Sequence, residues 1–399
     1  MRRISIFGAT GSIGESCFDL IRRAGGAEAF HTVALTGAQN IVRLAEMARE
    51  LRAEIAVTAD PGRLGDLRAA LAGTGIEAAA GPQAIAEAAD RPADWVMSAI
   101  VGAAGLVPGL RALAHGGTLA LANKESLVTA GPLLLATARH NGARILPVDS
   151  EHSAVFQALC GESIATLERV IITASGGPFR DWPVERLREA TPAEAVAHPN
   201  WSMGNRISID SASMFNKALE LIETHEFFGI PPEKIEVLIH PQSIVHALVG
   251  FCDGGVMAHL GAPDMRHAIG YALHWPERAE LPVERLDLAR IAALHFEEPD
   301  EIRFPALRLA REVMETGGLA GAAFNAAKET ALDHFIAGKI RFTDMAVVVE
   351  EALSRLSRQD RLGKGAEGLE DVLAMDHLGR VTAREVAMAE NSKRDMSWN

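Results

Sequence analysis

The chain has 399 residues, 48% of them hydrophobic and 23% charged, which is long for a single core and ordinary for a globular protein of two or three domains. A formal net charge of -13 argues against a nucleic-acid or anionic-membrane surface, and no apolar run approaches the ~18 residues of a membrane span. Cys17, Cys160 and Cys252 are widely spaced and form no CxxC pair, which excludes a disulfide framework or zinc knuckle and fits a reducing cytoplasm; all three are read as buried apolar filler. The short apolar stretch before Gly8 predicts no secretory signal.

Arg3 to Phe7 reads as a strand running directly into Gly8-Ala9-Thr10-Gly11-Ser12-Ile13-Gly14 and then a helix through Ile21. This is a dinucleotide turn of the GxxGxxG form, whose glycines allow close backbone approach while the helix N-terminus receives a pyrophosphate. Strands at 32–35, 55–58, 95–100, 118–122 and 144–148 alternate with helical stretches such as 41–51, so the first 148 residues predict a doubly wound parallel sheet. The second strand ends in Thr36-Gly37-Ala38-Gln39-Asn40, without the acid that reads the ribose hydroxyls of NAD or a base for the 2′-phosphate of NADP. The missing acid and the neighbouring Arg43 favour NADP.

Lys124 follows another strand end, where it either contacts a polarised substrate oxygen or is a solvated helix-start lysine. Val148-Asp149-Ser150-Glu151-His152 delivers two carboxylates just past a strand's carboxyl end, where open α/β sheets hold ligands. Oxygen ligands of this kind suit Mg²⁺ or Mn²⁺ better than zinc, although Asp149 capping a helix and Glu151 in its first turn explain the same residues. After a strand at 169–173, Ala174-Ser175-Gly176-Gly177-Pro178-Phe179 forms a glycine-rich turn suited to an anion. The irregular stretch up to Asn205, carrying His198-Pro199-Asn200-Trp201-Ser202-Met203-Gly204, predicts a lid or binding loop. Asp210 to Glu220 opens a helix with Asn216, Lys217 and Glu220 on one face, which suits a phosphate and a third carboxylate, or an ordinary Lys-Glu surface pair. Strands at 235–240, 243–250 and 255–260 predict a second sheet, and the helical spacing after Phe304 a bracing domain without chemistry.

The segments GATGSIG, LANKES, PVDSEH, ASGGPF, HPNWSMG, DSASMFNKALELIE and LIHPQSIVH, in this order, closely resemble the 1-deoxy-D-xylulose 5-phosphate reductoisomerase family from the first strand to about Trp275. The resemblance implies a cytoplasmic homodimer that isomerises 1-deoxy-D-xylulose 5-phosphate and reduces the product with NADPH to 2-C-methyl-D-erythritol 4-phosphate, a precursor of isoprenoids, using Mg²⁺, Mn²⁺ or Co²⁺. By its motifs Asp149, Glu151 and Glu220 would bind the cation, with Lys124, Ser150 and Glu151 beside the substrate. Ser175, His198, Ser211, Asn216 and Lys217 would hold the phosphate end, with Trp201 and Met203 closing over it. Thr10, Gly11, Ser12, Ile13, Ala38, Gln39, Asn40, Asn123, Glu125 and Gly204 would contact the nucleotide.

Two positions depart from the family pattern. Gln39 stands where members often carry Lys or Arg, which weakens the expected NADP preference; Lys328 stands where Asn is usual and is expected to touch only packing or surface. The expected organisation is a Rossmann-type nucleotide domain (1–149), an α+β catalytic domain (150–275) with a lid (175–205), a linker (276–303) and a C-terminal helical domain (304–399). Two rivals are weaker. A metal-free NADP-dependent semialdehyde dehydrogenase needs a nucleophilic cysteine or a proton-relay pair in the crevice, and none of the three cysteines lies in a site motif; a nucleotide-sensing regulator leaves the carboxylates and lid unexplained.

Overall fold

The computed structural model describes residues 1–201 and 204–396, with side chains described through residue 392. In chain order the elements are β1 (Arg2–Phe7), α1 (Ser12–Arg23), β2 (Phe30–Gly37), α2 (Ile41–Glu50), β3 (Ile55–Thr58), α3 (Leu64–Ala70), β4 (Glu77–Ala80), α4 (Pro82–Ala89), β5 (Trp95–Ser98), α5 (Leu106–Leu113), β6 (Thr118–Leu121), α6 (Lys124–His140) and β7 (Arg144–Pro147). There follow α7 (Ser150–Ala158), β8 (Leu167–Ala174), α8 (Pro192–Ala195), α9 (Asn205–Ala212), α10 (Phe215–Phe228), β9 (Ile235–Ile239), β10 (Val245–Phe251), β11 (Val256–Leu260) and α11 (Arg266–His274). The remaining helices are α12 (Leu288–Ile291), α13 (Ala306–Thr316), α14 (Ala320–Ile336), α15 (Asp344–Ser357) and α16 (Leu369–Met396). The chain divides into two compact units, the first comprising Met1–Ser126, Leu134–Ser153 and Asp264–Glu284, the second Leu127–Leu133, Ala154–Pro263 and Arg285–Asn399.

In the first unit seven parallel strands take the order β4-β3-β2-β1-β5-β6-β7, so strand order reverses between β1 and β5. Helices cover such a sheet on both faces, which is why its strands read as near-continuous apolar runs: Ile4, Ile6, Val33, Leu35, Ala56, Val57 and Trp95 are fully buried. The expected strands are present within two residues at each end. The edge strand β4 escaped the sequence reading because Glu77-Ala78-Ala79-Ala80 has little β-propensity. Residues 264–284, expected in the catalytic domain and linker, belong to this unit: α11 packs on α1, and the Trp95 indole donates to Ala272 O at 3.0 Å.

In the second unit a four-stranded sheet has the order β11-β10-β8-β9, with β8 parallel to β9 and β10 antiparallel to both its neighbours. The C-terminal helices share this unit with the sheet; α10 packs on α13, and α14 on α15 and α16. Helix α14, not singled out within the expected helical domain, is buried on nearly every side, so it lacks the polar stripe that marks an amphipathic helix. Part of the expected linker is built into the sheet's margin, since Glu297 and Ile239 exchange backbone hydrogen bonds of 2.8 and 2.9 Å and Phe296 stacks on His240. Much of the expected lid is likewise packed: Phe179 is fully buried against Trp182 and Phe342, and Leu187 and Ala195 are buried too. The cysteines divide, with Cys17 buried and Cys160 and Cys252 exposed, which corrects the reading of all three as core filler.

Candidate active site

In the first unit the candidate groups start from the β1–α1 turn. Gly8 has φ 91°, and a Cβ there would lie 2.4 Å from Ala99 O; at Gly14 it would lie 2.3 Å from the carbonyls of Gly8 and Ala9. Only glycine allows this closeness. The turn is tied to β2, where Thr36 Oγ1 accepts from Gly8 N at 2.9 Å and Thr36 O from Ala9 N at 2.7 Å. Helix α1 starts from Gly11 with no side chain capping it, so Thr10, Gly11, Ser12 and Ile13 frame N–H groups suited to a pyrophosphate.

Ala38, Gln39 and Asn40 are exposed at the end of β2. Asn40 caps α2 by accepting from Arg43 N at 3.2 Å, Ala38 O accepts from Thr58 Oγ1 at 2.7 Å, and Gln39 Nε2 donates to Asp60 Oδ2 at 3.0 Å. Arg43 is already engaged: its Nε and Nη2 each lie 2.8 Å from a carboxylate oxygen of Glu15, with Glu46 at 3.2 Å. The hydrogen bond with Glu15, foremost, raises its pKa above the usual arginine value.

Asn123 is buried at the start of α6, where its Oδ1 accepts from Ser126 N at 3.1 Å. Its amide donates to Ile100 O at 2.7 Å and to Gly102 O and Glu125 Oε2 at 2.9 Å. Asn123 therefore shapes the loop after β5. The sequence reading missed that loop, although Gly102-Ala103-Ala104-Gly105 directly after a strand is the same kind of signal as the first turn.

Lys124 lies beside Asn123 and is buried, with Nζ 2.8 Å from Asp149 Oδ2. The other oxygen of Asp149 accepts from Glu151 N at 3.1 Å, and His152 Nδ1 lies 3.1 Å from it. Asp149 thus caps α7 through Oδ1, as the capping reading has it, while Oδ2 faces a buried lysine. Ser150 Oγ donates to Glu151 Oε2, so the VDSEH segment presents two oriented carboxylates.

The second unit gathers the anion-binding candidates. Ser175 Oγ accepts from Gly177 N at 3.1 Å and lies 2.9 Å from His198 Nε2. His198 Nδ1 accepts from the N–H groups of Asn200 and Trp201 at 3.2 and 3.0 Å, so the ring is neutral and Nε2 carries the proton donated to Ser175. Burial, and then the Lys217 charge, hold the His198 pKa below its ordinary value. Asn200 Nδ2 donates to Pro241 O and Ser243 Oγ, so the LIHPQS motif anchors the His198 loop. The Trp201 ring is 6.2 Å from that of His246. Gly204 begins α9; Met203 lies outside the described residues.

The expected single helix from Asp210 is instead two. Met214, in the left-handed region at φ 62°, separates α9 from α10, so Ser211 stands near the end of one helix and Asn216 and Lys217 in the first turn of the next. Gly177 fits against this break: a Cβ there would lie 3.1 Å from Ser211 O. Glu220 is 1% exposed and accepts from Asn216 Nδ2 at 2.6 Å and from Lys217 Nζ, which places the Lys-Glu pair in the interior and overturns its surface reading.

A parallel sheet with a glycine turn at the point of strand reversal binds a dinucleotide, and oriented carboxylates past β7 place polar chemistry at the ends of the same strands. The class is a nucleotide-dependent oxidoreductase. Family models for 1-deoxy-D-xylulose 5-phosphate reductoisomerase match residues 4–131, its C-terminal domain residues 145–228, and a second DXP reductoisomerase C-terminal domain residues 260–382. A Cereibacter sphaeroides protein of that name is 73% identical over 394 residues, covering 99% of this chain and all of the relative; one from Paracoccus denitrificans is 67% identical, covering 96% and 99%. The solved Zymomonas mobilis enzyme in complex with NADPH has TM-score 0.89 at 46% identity, covering 97% of this chain and 99% of that one. A DOX-P reductoisomerase in complex with NADPH, fosmidomycin and magnesium has TM-score 0.92 at 40% identity, covering 97% and 98%. The chain belongs to the 1-deoxy-D-xylulose 5-phosphate reductoisomerase family.

Proposed function

We infer that the chain isomerises 1-deoxy-D-xylulose 5-phosphate and reduces the product with NADPH to 2-C-methyl-D-erythritol 4-phosphate, aided by a divalent cation. The observation that carries this reading is full-length identity of 73% to a relative of that name, with the chemical groups within each unit oriented by local hydrogen bonds. Asp149, Glu151 and Glu220 are assigned to the cation, and an all-carboxylate set fits a hard ion such as Mg²⁺, Mn²⁺ or Co²⁺. Lys124, Ser150 and Glu151 are assigned to the substrate's reacting end; Ser175, His198, Ser211, Asn216 and Lys217 to its phosphate; Trp201 to covering it. Thr10 to Ile13, Ala38 to Asn40, Asn123, Glu125 and Gly204 are assigned to the nucleotide.

When bound, the cation supplies a Lewis acid for the vicinal oxygens of the hydroxyketone and NADPH supplies a hydride. The chain's own residues do the rest. Lys124 and Lys217 pair with Asp149 and Glu220 and keep those buried carboxylates aimed. Neutral His198 donates its Nε2–H to Ser175 and so aims the Ser175 hydroxyl, while Lys217 adds the charge a phosphate dianion needs. We also propose a cytoplasmic homodimer. The edge strand β11, with Val256 and Met257 exposed, supports self-association. NADPH absorbance should fall only when enzyme, sugar phosphate and Mg²⁺ are all present; loss of NADPH without the cation, or none with it, overturns the reading.

A further inference from the structure

Helix α14 carries a buried charge, Lys328, whose position was expected to touch only packing or surface. Lys328 is 1% exposed and Asp210, on α9, is 4% exposed, and Lys328 Nζ lies 2.9 Å from Asp210 Oδ2. Asp210 Oδ1 is buried with no hydrogen-bond partner among the described residues, so Lys328 is the cation in direct contact with the carboxylate, the Arg206 charge acting on it from farther off. A second ion pair, Arg206 with Asp333, joins the same two helices one turn earlier on α9.

Helix α9 has eight residues and ends at Ala212, two residues before the left-handed Met214, too short to hold its place without tertiary support. Its end is where the proposed phosphate site begins. Ser211 follows Asp210 directly. Ser211 O faces Gly177 so closely that a Cβ there would lie 3.1 Å from it, Gly177 N donates to Ser175 Oγ, and Ser175 Oγ meets His198 Nε2 at 2.9 Å. A shift of α9 along its axis would pass through each of these contacts. An uncompensated carboxylate one residue from Ser211 would also repel an anion in a low-dielectric interior.

We propose that Lys328 is a positioning residue for the substrate's phosphate: by pairing with Asp210 it fixes the end of α9 against the Ser175 turn and cancels a negative charge beside the anion site. The proposal rests on the functional reading above and extends it to a helix that contributes no ligand. Lys328→Met should raise KM for the sugar phosphate about tenfold or more, while kcat at saturation stays within about threefold and NADPH affinity, read by nucleotide fluorescence, within about twofold. The neutral pair Asp210→Asn/Lys328→Asn should bring KM back to within about threefold of the unmodified enzyme, because no charge is then left buried alone. An unchanged KM in folded Lys328→Met overturns the proposal, as does a common loss of kcat, KM and NADPH binding that the double variant does not restore. If Lys328→Met does not fold, Lys328→Gln is read by the same criteria. An unmodified enzyme inert toward the sugar phosphate would instead overturn the functional reading, so the two claims fail separately.

Discussion

Lys124 Nζ stands 2.8 Å from Asp149 Oδ2 with the two side chains only 9% and 10% exposed, so the first unit carries a buried ion pair at the ends of adjacent strands β6 and β7. Removing one partner of such a pair leaves the other charged in a poor dielectric. Lys124→Met is expected to lower apo-protein stability by roughly 3 to 5 kcal/mol and to suppress turnover, whereas nucleotide affinity changes little. Urea unfolding in the presence of a chelator checks the first part; a loss under about 1 kcal/mol would mean that water already compensates Asp149.

Activity is expected to need an added divalent cation, and Glu220→Gln to cut kcat on the order of a hundredfold while NADPH binding is kept, because the change removes a carboxylate from the second unit alone. Full turnover in excess chelator would sink this prediction.

The nucleotide turn, the VDSEH carboxylates and the Asn216-Lys217-Glu220 face were legible because each is written in residues close together in sequence. Local spacing fixes which side chains share a face. What it cannot fix is burial. Lys217 and Lys328 have the composition of surface lysines, and only long-range packing places both in the interior beside carboxylates. The α9–α10 break was hidden for a related reason: Asp210 to Glu220 contains no glycine or proline, and a methionine takes the left-handed position where Gly177 leaves room for the backbone.

NADPH should be preferred over NADH, but modestly. Gln39 offers no charge and points to Asp60, whose pKa it lowers by hydrogen bonding, while Arg43 is held by Glu15. Gln39→Arg should tighten NADPH by about tenfold through a charge-assisted contact, the lower end of the range for such bonds because Asp60 competes for the new guanidinium. Glu15→Gln, which releases Arg43, should act in the same direction. Fluorescence titration of both nucleotides decides; tighter NADH than NADPH binding in the unmodified enzyme refutes the preference.

The His198 ring should set an acid limit on substrate binding. Its Nδ1 accepts two backbone N–H groups, so protonation breaks both, and its folded pKa lies below the ordinary 6.5 because burial and Lys217 oppose the charge. The unfolded chain therefore binds this proton more readily than the folded one. The loop's anchoring is complete above about pH 6.5 and is lost as pH falls through the depressed folded value, with KM for the sugar phosphate rising in the same window. NMR titration of the imidazole tests the direction. A pKa at or above 6.5 in the free enzyme would be incompatible with the hydrogen-bond pattern.

On the proposed assignments, phosphate binding and cation binding meet at Lys217. It is 4% exposed in the first turn of α10, where its charge and the helix's N-terminal dipole act together on a dianion, yet its Nζ is also the partner of Glu220. Lys217→Ala should raise KM for the sugar phosphate about ten- to a hundredfold, the size of one lost charged hydrogen bond of ~1.5 to 3 kcal/mol. NADPH binding should hardly change. Because Glu220 loses its cationic partner as well, kcat should fall in the same variant, and raising Mg²⁺ should recover part of kcat without recovering KM, since the added ion compensates the carboxylate and not the missing phosphate contact. Recovery of both together would place the phosphate away from Lys217 and reduce the lysine to a counter-ion for Glu220.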